Sequence, residues 1–246
     1  MSRDIERYAE DYLKDEFERV MSSYRRQMIV RLLQKYVAKN ILEVGPAYNF
    51  CYQAYPSFTR YTVVEPSSIM CARMPPEKNV RIINDLLENS MDLLRQENFD
   101  FIIFSGLLHE IEDESSVLKC LYSLCGSETI VHISVPNCKS FHLRFAYEAG
   151  LISEIGKLTP YSQKMQRCRT YDKSSLKKAL RDVGFSIAEE GNFFLKLFNQ
   201  KKMQQCSENG ILDRPLLDAL ARMGDLVPDA AAEIYCNVKK GRTSDA

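Results

Sequence analysis

Apolar positions recur along this chain with two alternating periods, and the alternation sets its architecture. From Asp4 to Val37 they fall every three to five residues, at Tyr8, Tyr12, Phe17, Val20, Tyr24, Met28, Leu32 and Tyr36 among charged neighbours, which predicts one or two amphipathic helices. Short apolar runs follow. Ile41 to Val44, Tyr61 to Val64, Val80 to Ile83, Phe99 to Phe104 and Thr129 to Val135 are predicted as strands. The Phe99 to Phe104 run is nearly continuous, as expected of a parallel strand buried on both faces. Between the runs, Cys51 to Phe58 contains Pro56 and reads as a compact link or a helix broken early. A second helix is expected from Ser67 to the Pro75-Pro76 pair, and a third from Glu114 to Leu124, closed by Gly126. Five strand–helix units in succession predict an α/β fold, a doubly wound parallel sheet with right-handed crossovers and helices on both faces.

After the fifth strand the rhythm changes. Lys139 to Thr170 is rich in aromatics, Met and Arg, and is expected to be an insertion that caps the carboxyl ends of the strands. A helix from Tyr171 to Val183, with Asp172 or Ser174 as cap and Gly184 as stop, is predicted next. Phe185 to Glu189 and Glu233 to Val238 read as closing strands, separated by a helix from Arg214 to Met223. The division expected is a helical lid over residues 1–38 and a sheet domain over 39–246 with the cap at about 139–170. For the first helices two readings stand side by side: cover for one sheet face, or a lid to which Tyr8, Tyr24, Arg25 or Arg26 contributes.

Composition narrows the function classes. The 33 basic and 33 acidic residues balance, so no strong field draws the chain to nucleic acid or anionic membrane, and neither partner is expected. Met1 to Glu16 is acidic and polar, without the core of a signal peptide, and no apolar run nears membrane-spanning length; a place in the cytoplasm is expected. The eight cysteines form no Cys-x-x-Cys pair, so reduced thiols and no metal are expected, with Cys138 and His142 the nearest approach to a ligand pair.

Polar residues gather where the strands end. Gly45 and Pro46 follow the first strand, Glu65 and Pro66 the second, Asn84-Asp85-Leu86 the third, and Ser105-Gly106 the fourth. The carboxyl ends of such strands are where open α/β sheets bind ligands, and an acid about 20 residues after the first glycine suits a ribose. Gly45 lets a nucleoside approach the backbone closely.

The order of these motifs, Glu43-Val44-Gly45, Glu65, Asn84-Asp85-Leu86, then Phe99-Asp100-Phe101-Ile102 followed by Ser105-Gly106-Leu107-Leu108-His109-Glu110, resembles class I S-adenosylmethionine-dependent methyltransferases. Val135-Pro136-Asn137, Arg169 to Asp172, Ala188 to Lys196 and Glu233-Ile234-Tyr235 look like the small-molecule branch of that family. The resemblance implies a Rossmann-like sheet of seven mostly parallel strands, the last inserted antiparallel beside the fifth. It implies S-adenosylmethionine as cofactor, S-adenosylhomocysteine as product, and methyl transfer to a small-molecule acceptor such as a sugar, a peptide or a secondary metabolite.

Roles follow from the resemblance. Gly45, Pro46 and Ala47 would line the amino-acid end of the cofactor, while Glu43 would orient the loop or bind the ammonium through water. Glu65, beside Pro66, would accept the ribose hydroxyls; Asp85, between Asn84 and Leu86, would accept from the adenine amine; Ser105 and Gly106 would lie under the methionine. The family's further glycines are replaced by Ala47 and Asn49, of which Asn49 tolerates positive φ. For a general base, His109, His142 and Tyr171 are candidates, and Arg144, Arg167 and Arg169 could grip an acidic acceptor, with at least two of them more readily explained as solvated. His132, inside an apolar strand, reads as a satisfied core histidine. Two other classes compete: a cofactor-binding relative without turnover, and a nucleotide-dependent dehydrogenase, which would carry a fuller Gly-x-Gly-x-x-Gly.

Overall fold

The computed structural model describes residues 4–47 and 50–241. The chain opens with α1 (Ile5–Leu13) and α2 (Glu16–Lys35), separated where the side chain of Asp15 caps α2 through the Glu18 N–H. Strand β1 (Asn40–Val44) then leads through a single 3-10 turn to β2 (Arg60–Val64), so the short link containing Pro56 holds no α-helix. Next come α3 (Ser68–Cys71), β3 (Val80–Ile83), α4 (Met91–Leu94), β4 (Phe99–Ser105), α5 (Glu114–Ser123) and β5 (Cys125–Pro136). The cap region holds α6 (Phe141–Glu148) and α7 (Pro160–Lys164), and α8 (Lys173–Asp182), β6 (Phe185–Phe193), α9 (Gln200–Glu208), α10 (Arg214–Leu226) and β7 (Glu233–Lys240) complete the chain.

The seven strands order as β3-β2-β1-β4-β5-β7-β6, parallel except β7, which runs antiparallel to both β5 and β6. This is the sheet expected. Alternation along each strand divides its apolar residues between two layers: Ile41, Phe101 and Ile103 pack under α2 and α10, whereas Leu42, Ile102 and Phe104 face α5 and α8. Burial on both faces explains the unbroken apolar run of β4.

Local boundaries differ from expectation for identifiable reasons. The helix after Ser67 stops at Cys71, well short of Pro75, and β5 begins at Cys125 because α5 ends at Ser123 and Gly126 sits in the strand. Of the two candidate caps of α8, Asp172 takes the role, in a reciprocal box with Ser175. Helix α9, polar on most of its surface, lacked the apolar period that would have announced it.

The topology does one thing that matters for function. Because β7 is antiparallel, its first residue, Glu233, pairs with Pro136 and Phe193 at the carboxyl rim of β5 and β6, the rim on which Ser105 and Ser134 also lie. Residues late in the chain are thus delivered to the same end of the sheet as the Gly45 turn.

Candidate functional site

A cavity of about 1390 Å³ opens over this rim, between the strand ends below, α1 and α2 on one side and the 158–170 segment on the other. Its floor is backbone. Gly45 adopts φ +61, its N–H donating to the Val64 carbonyl at 2.8 Å, and a Cβ there would stand 2.7 Å from Leu107 Cδ1. Gly106 adopts φ +72 and donates to the Ser134 carbonyl at 2.9 Å, while the hydroxyls of Ser105 and Ser134 meet at 2.6 Å. Two left-handed turns at adjacent strand ends form a trough that brings backbone to the cavity, with Leu107 packed against the first, and only glycine occupies both without strain.

The acids of the floor are anchored. Glu65 is buried, one oxygen accepting from the Ala47 N–H at 3.3 Å and the other from Ser67 N–H at 3.0 Å. Glu43 is buried too, accepting the Tyr61 hydroxyl at 2.7 Å and the Cys51 N–H at 3.3 Å. Burial raises its pKa, opposed by these bonds and by the charge of nearby Arg26. Of the two roles weighed for Glu43, the orientation of the loop is the one these bonds perform. Ala47 takes positive φ, +53, a conformation expected instead of Asn49; Tyr48 and Asn49 lie outside the described residues. Pro46 and Pro66 line the cavity beside these acids.

The third strand's residues divide. Leu86 lines the cavity, but Asn84 and Asp85 do not reach its wall. The Asn84 amide ties the β2 turn, donating to the carbonyls of Glu65 at 2.9 Å and Pro66 at 3.0 Å. Asp85 turns onto its own backbone, accepting the Leu86 N–H at 2.8 Å and the Asn89 amide at 2.7 Å. A short acid after a strand finds these local donors first.

Among the base candidates, His109 and His142 are brought to the cavity and Tyr171 is not. Tyr171, a base candidate in the sequence, is buried in the core layer of α5 and α8 with its hydroxyl on the carboxylate of Glu114, and this packing keeps it from the cavity wall. His109 is buried in a 3-10 turn whose backbone carbonyl accepts from Cys168 N–H at 2.9 Å, with Nε2 3.6 Å from Glu110. His142 is half-buried, its Nδ1 3.0 Å from the Ser140 hydroxyl. Burial, then the charges of Lys196 and Arg167, hold it well below the usual histidine pKa, so the imidazole is neutral near pH 7.

The side walls are charge networks that the strand motifs did not announce. Arg25 donates through Nε to Glu233 at 2.8 Å and through Nη2 to Glu18 at 3.0 Å, all three nearly enclosed. Tyr8 donates to Glu110 at 2.9 Å, and Tyr161 to Asp15 at 2.7 Å. Lys196, bonded to Gln200, has a pKa lowered to about 8, first by burial and then, against the nearby acids, by Arg167. The signal for Lys196 was its charge inside the apolar run from Phe193 to Phe198, and for Glu233 its place opening an apolar strand. Of the three arginines, Arg169 is spent on the carbonyls of Ile111 and Glu112 and on Glu114, and Arg144 on the carbonyl of Asp229 away from the cavity. Arg167 alone of them faces the cavity without such bonds among the described residues. Among those residues no group of three or more His, Cys, Asp or Glu is arranged to hold a metal, and no helix is long and apolar enough to cross a membrane.

The trough fits a nucleoside cofactor: two glycine turns at the neighbouring ends of β1 and β4, a buried carboxylate, Glu65, at the end of β2 on the other side of the Gly45 turn, and Arg26 on the wall near the Gly45 loop. No curated protein matches the chain in sequence. Solved structures share its fold. The plantazolicin methyltransferase BpumL in complex with SAH is 16% identical, with 97% of this chain and 96% of that one covered and a TM-score of 0.57. The N-methyltransferase NodS from Bradyrhizobium japonicum, also with SAH, is 12% identical over 94% and 90%, TM-score 0.53. The [4+2]-cyclase SpnF is 14% identical over 87% and 81%, TM-score 0.57, so the likeness is one of fold rather than reaction. A family model described as a methyltransferase domain matches residues 7–190, which sets the dehydrogenase reading aside, and the chain belongs to the class I S-adenosylmethionine-dependent methyltransferases.

Proposed function

We propose that this methyltransferase acts on a small-molecule acceptor held between α1, α2 and the cap, with α1 and α2 as its lid. The observation that carries the reading is the single cavity that joins the glycine trough to the charged walls. Its volume of about 1390 Å³ exceeds the roughly 300–1,000 Å³ of an ordinary ligand pocket, which leaves room for a cofactor and an acceptor together. The balanced net charge supports a small acceptor over nucleic acid.

In this reading Gly45, Pro46 and Ala47 pass along the amino-acid end of the cofactor, and Arg26 neutralises its carboxylate. Glu65 receives the ribose, exchanging one of its present backbone donors for hydroxyls. Leu86 covers the adenine edge, with Asn84 and Asp85 shaping that turn from behind. Ser105 and Gly106 support the methionine portion. When bound, the sulfonium supplies an electrophilic methyl and a neutral thioether leaving group. The chain's own part is to align the acceptor, exclude water and take a proton where the attacking atom carries one. His142 is assigned that last task, because it is neutral, half-open to the cavity and oriented by Ser140.

Calorimetric titration with S-adenosylmethionine and S-adenosylhomocysteine, with NAD as control, tests the cofactor half. Both nucleosides are expected to bind, and Glu65→Ala to weaken them by about 10–100-fold, the range of lost bonds to a charged group. An unchanged affinity in that variant removes Glu65 from the site. Once an acceptor is found by screening, the rate should be level above pH 6.5 and fall only below it, where His142 gains its proton. A rate in His142→Ala equal to that of the parent chain rejects the base assignment.

A further inference from the structure

The cations around the cavity are not equally compensated. Arg25 is flanked by Glu18 and Glu233, and Arg169 by Glu114 and two carbonyls. The guanidinium of Arg167 instead lies over the ring of Tyr161, 5.5 Å from its centroid; its Nε, like that of Arg169, is buried without a hydrogen-bond partner, but its terminal nitrogens, unlike those of Arg169, make no hydrogen bond or ion pair among the described residues. Lys196 enters the same space from beyond β6, close enough that each charge acts on His142.

A buried donor of a guanidinium left without an acceptor costs stability, and two cations sharing an enclosed space add repulsion. The nearby acids make no hydrogen bond or ion pair to Arg167: Asp15 accepts the Tyr161 hydroxyl and the Gln200 amide, and Glu18 accepts from Arg25. Tyr161 covers one face of the guanidinium and leaves its edge, the N–H fork that matches two coplanar oxygens, for a ligand. His142, neutral beside them, adds no charge and can face the atom to be methylated.

We infer that Arg167 and Lys196 form an anion subsite that receives a carboxylate of the methyl acceptor. The inference rests on the reading of this cavity as the acceptor site. A singly charged group is favoured over a phosphate dianion because Asp15, Glu18 and Glu233 all act on Lys196 and limit the positive field. The acceptor class is therefore a small carboxylic acid whose nucleophilic atom lies toward His142 and the Gly106 turn.

The test uses the full chain saturated with S-adenosylhomocysteine and three phenyl probes, the isosteric pair benzoate and benzamide and the dianion phenyl phosphate, followed by ligand-observed NMR. Benzoate is expected to bind about tenfold or more tighter than benzamide, and Arg167→Gln and Lys196→Met each to lower its affinity by about tenfold, the scale of one bond to a charged group. Arg144→Gln, on the surface, should leave it unchanged, and S-adenosylhomocysteine affinity should be the same in all three variants. Equal binding of benzoate and benzamide, absence of benzoate binding while the nucleoside binds, or an undiminished affinity in Arg167→Gln overturns the subsite. Tighter binding of phenyl phosphate than benzoate overturns the choice of a singly charged ligand. Failure of the parent chain to bind S-adenosylhomocysteine overturns the cofactor reading beneath it and is seen before any probe is added.

Discussion

The two halves of the cavity are built by different means. The cofactor half is made of backbone turns at the ends of β1, β2 and β4, within a few residues of motifs contiguous in the chain. The cap half is made of side chains from α1, α2, the 158–170 segment, Lys196 and Glu233, joined by ion pairs and hydrogen bonds between elements as much as 208 positions apart. The first kind of site is specified by what a turn permits; the second depends on several charges meeting in an enclosed space. One fold therefore serves different reactions, as an architecture shared with a methyltransferase and a cyclase illustrates.

The comparison breaks most readily at Arg25, which stands between the halves with Gly106 below and Glu18 and Glu233 beside it. Side-chain exposures of 14% for Arg25, 13% for Glu18 and 8% for Glu233 mark this as a buried triad. Arg25→Met leaves two carboxylates facing each other and should lower stability by about 3–5 kcal/mol in urea denaturation, with Glu233→Gln added to it restoring part. A loss below about 1 kcal/mol, the level of an exposed pair, would show that the triad is solvated.

Acid sharpens the contrast, because β5 underlies both halves and carries His132 at its centre. The ring bonds Asn237 at 2.8 Å through Nδ1, while Nε2 is buried without a partner among the described residues, so this core histidine is only half satisfied there. Burial lowers its pKa from 6.5 to about 4. The unfolded chain then takes up a proton between those values that the folded chain refuses, and stability falls as pH drops from 6.5 toward 4, by about 3 kcal/mol in total. His142, also depressed, adds a slope of the same sign. Urea midpoints across this range should fall in the parent chain and fall less in His132→Gln; parallel curves would remove His132 from the account.

The smallest effect tests whether α1 couples the halves. Glu6 binds Ser67 and Ser68 on the cofactor side, with its oxygens 2.7 and 2.8 Å from the two hydroxyls, while Asp4 and Tyr8 hold Gln166 and Glu110 on the other. Glu6 is half-buried and its partners are neutral donors, so Glu6→Gln, which keeps one acceptor oxygen, should cost about 1 kcal/mol or less globally. Its amide exchange should nonetheless quicken in α1 and not in α2. Unchanged protection in α1 would mean that its other anchors suffice.

How much of this could be read from the chain differs by region. The strands, their order through β5, Gly45, Glu65 and the Ser105-Gly106 turn were legible, because periodicity and glycine at a strand end are local signals. Asp85 and Tyr171 look as suitable in sequence as Glu65 and His142, and the fold turns both away: one finds donors within its own turn, the other a core layer and Glu114. Helix α9 and the short helices α6 and α7 were obscured because polar surfaces and irregular segments carry no period.

What the sequence alone determined is the sheet and the trough, since each follows from residues within about one strand and turn of one another and from backbone sterics that need no distant partner. What the tertiary structure decided is the charged wall of the cavity. The antiparallel entry of β7 and the exit of β6 at the same rim carry Glu233 and Lys196 to a place already bordered by α2 and Arg167. Charges acquire their partners and their pKa values only when burial brings them together, and no spacing along the chain encodes that meeting.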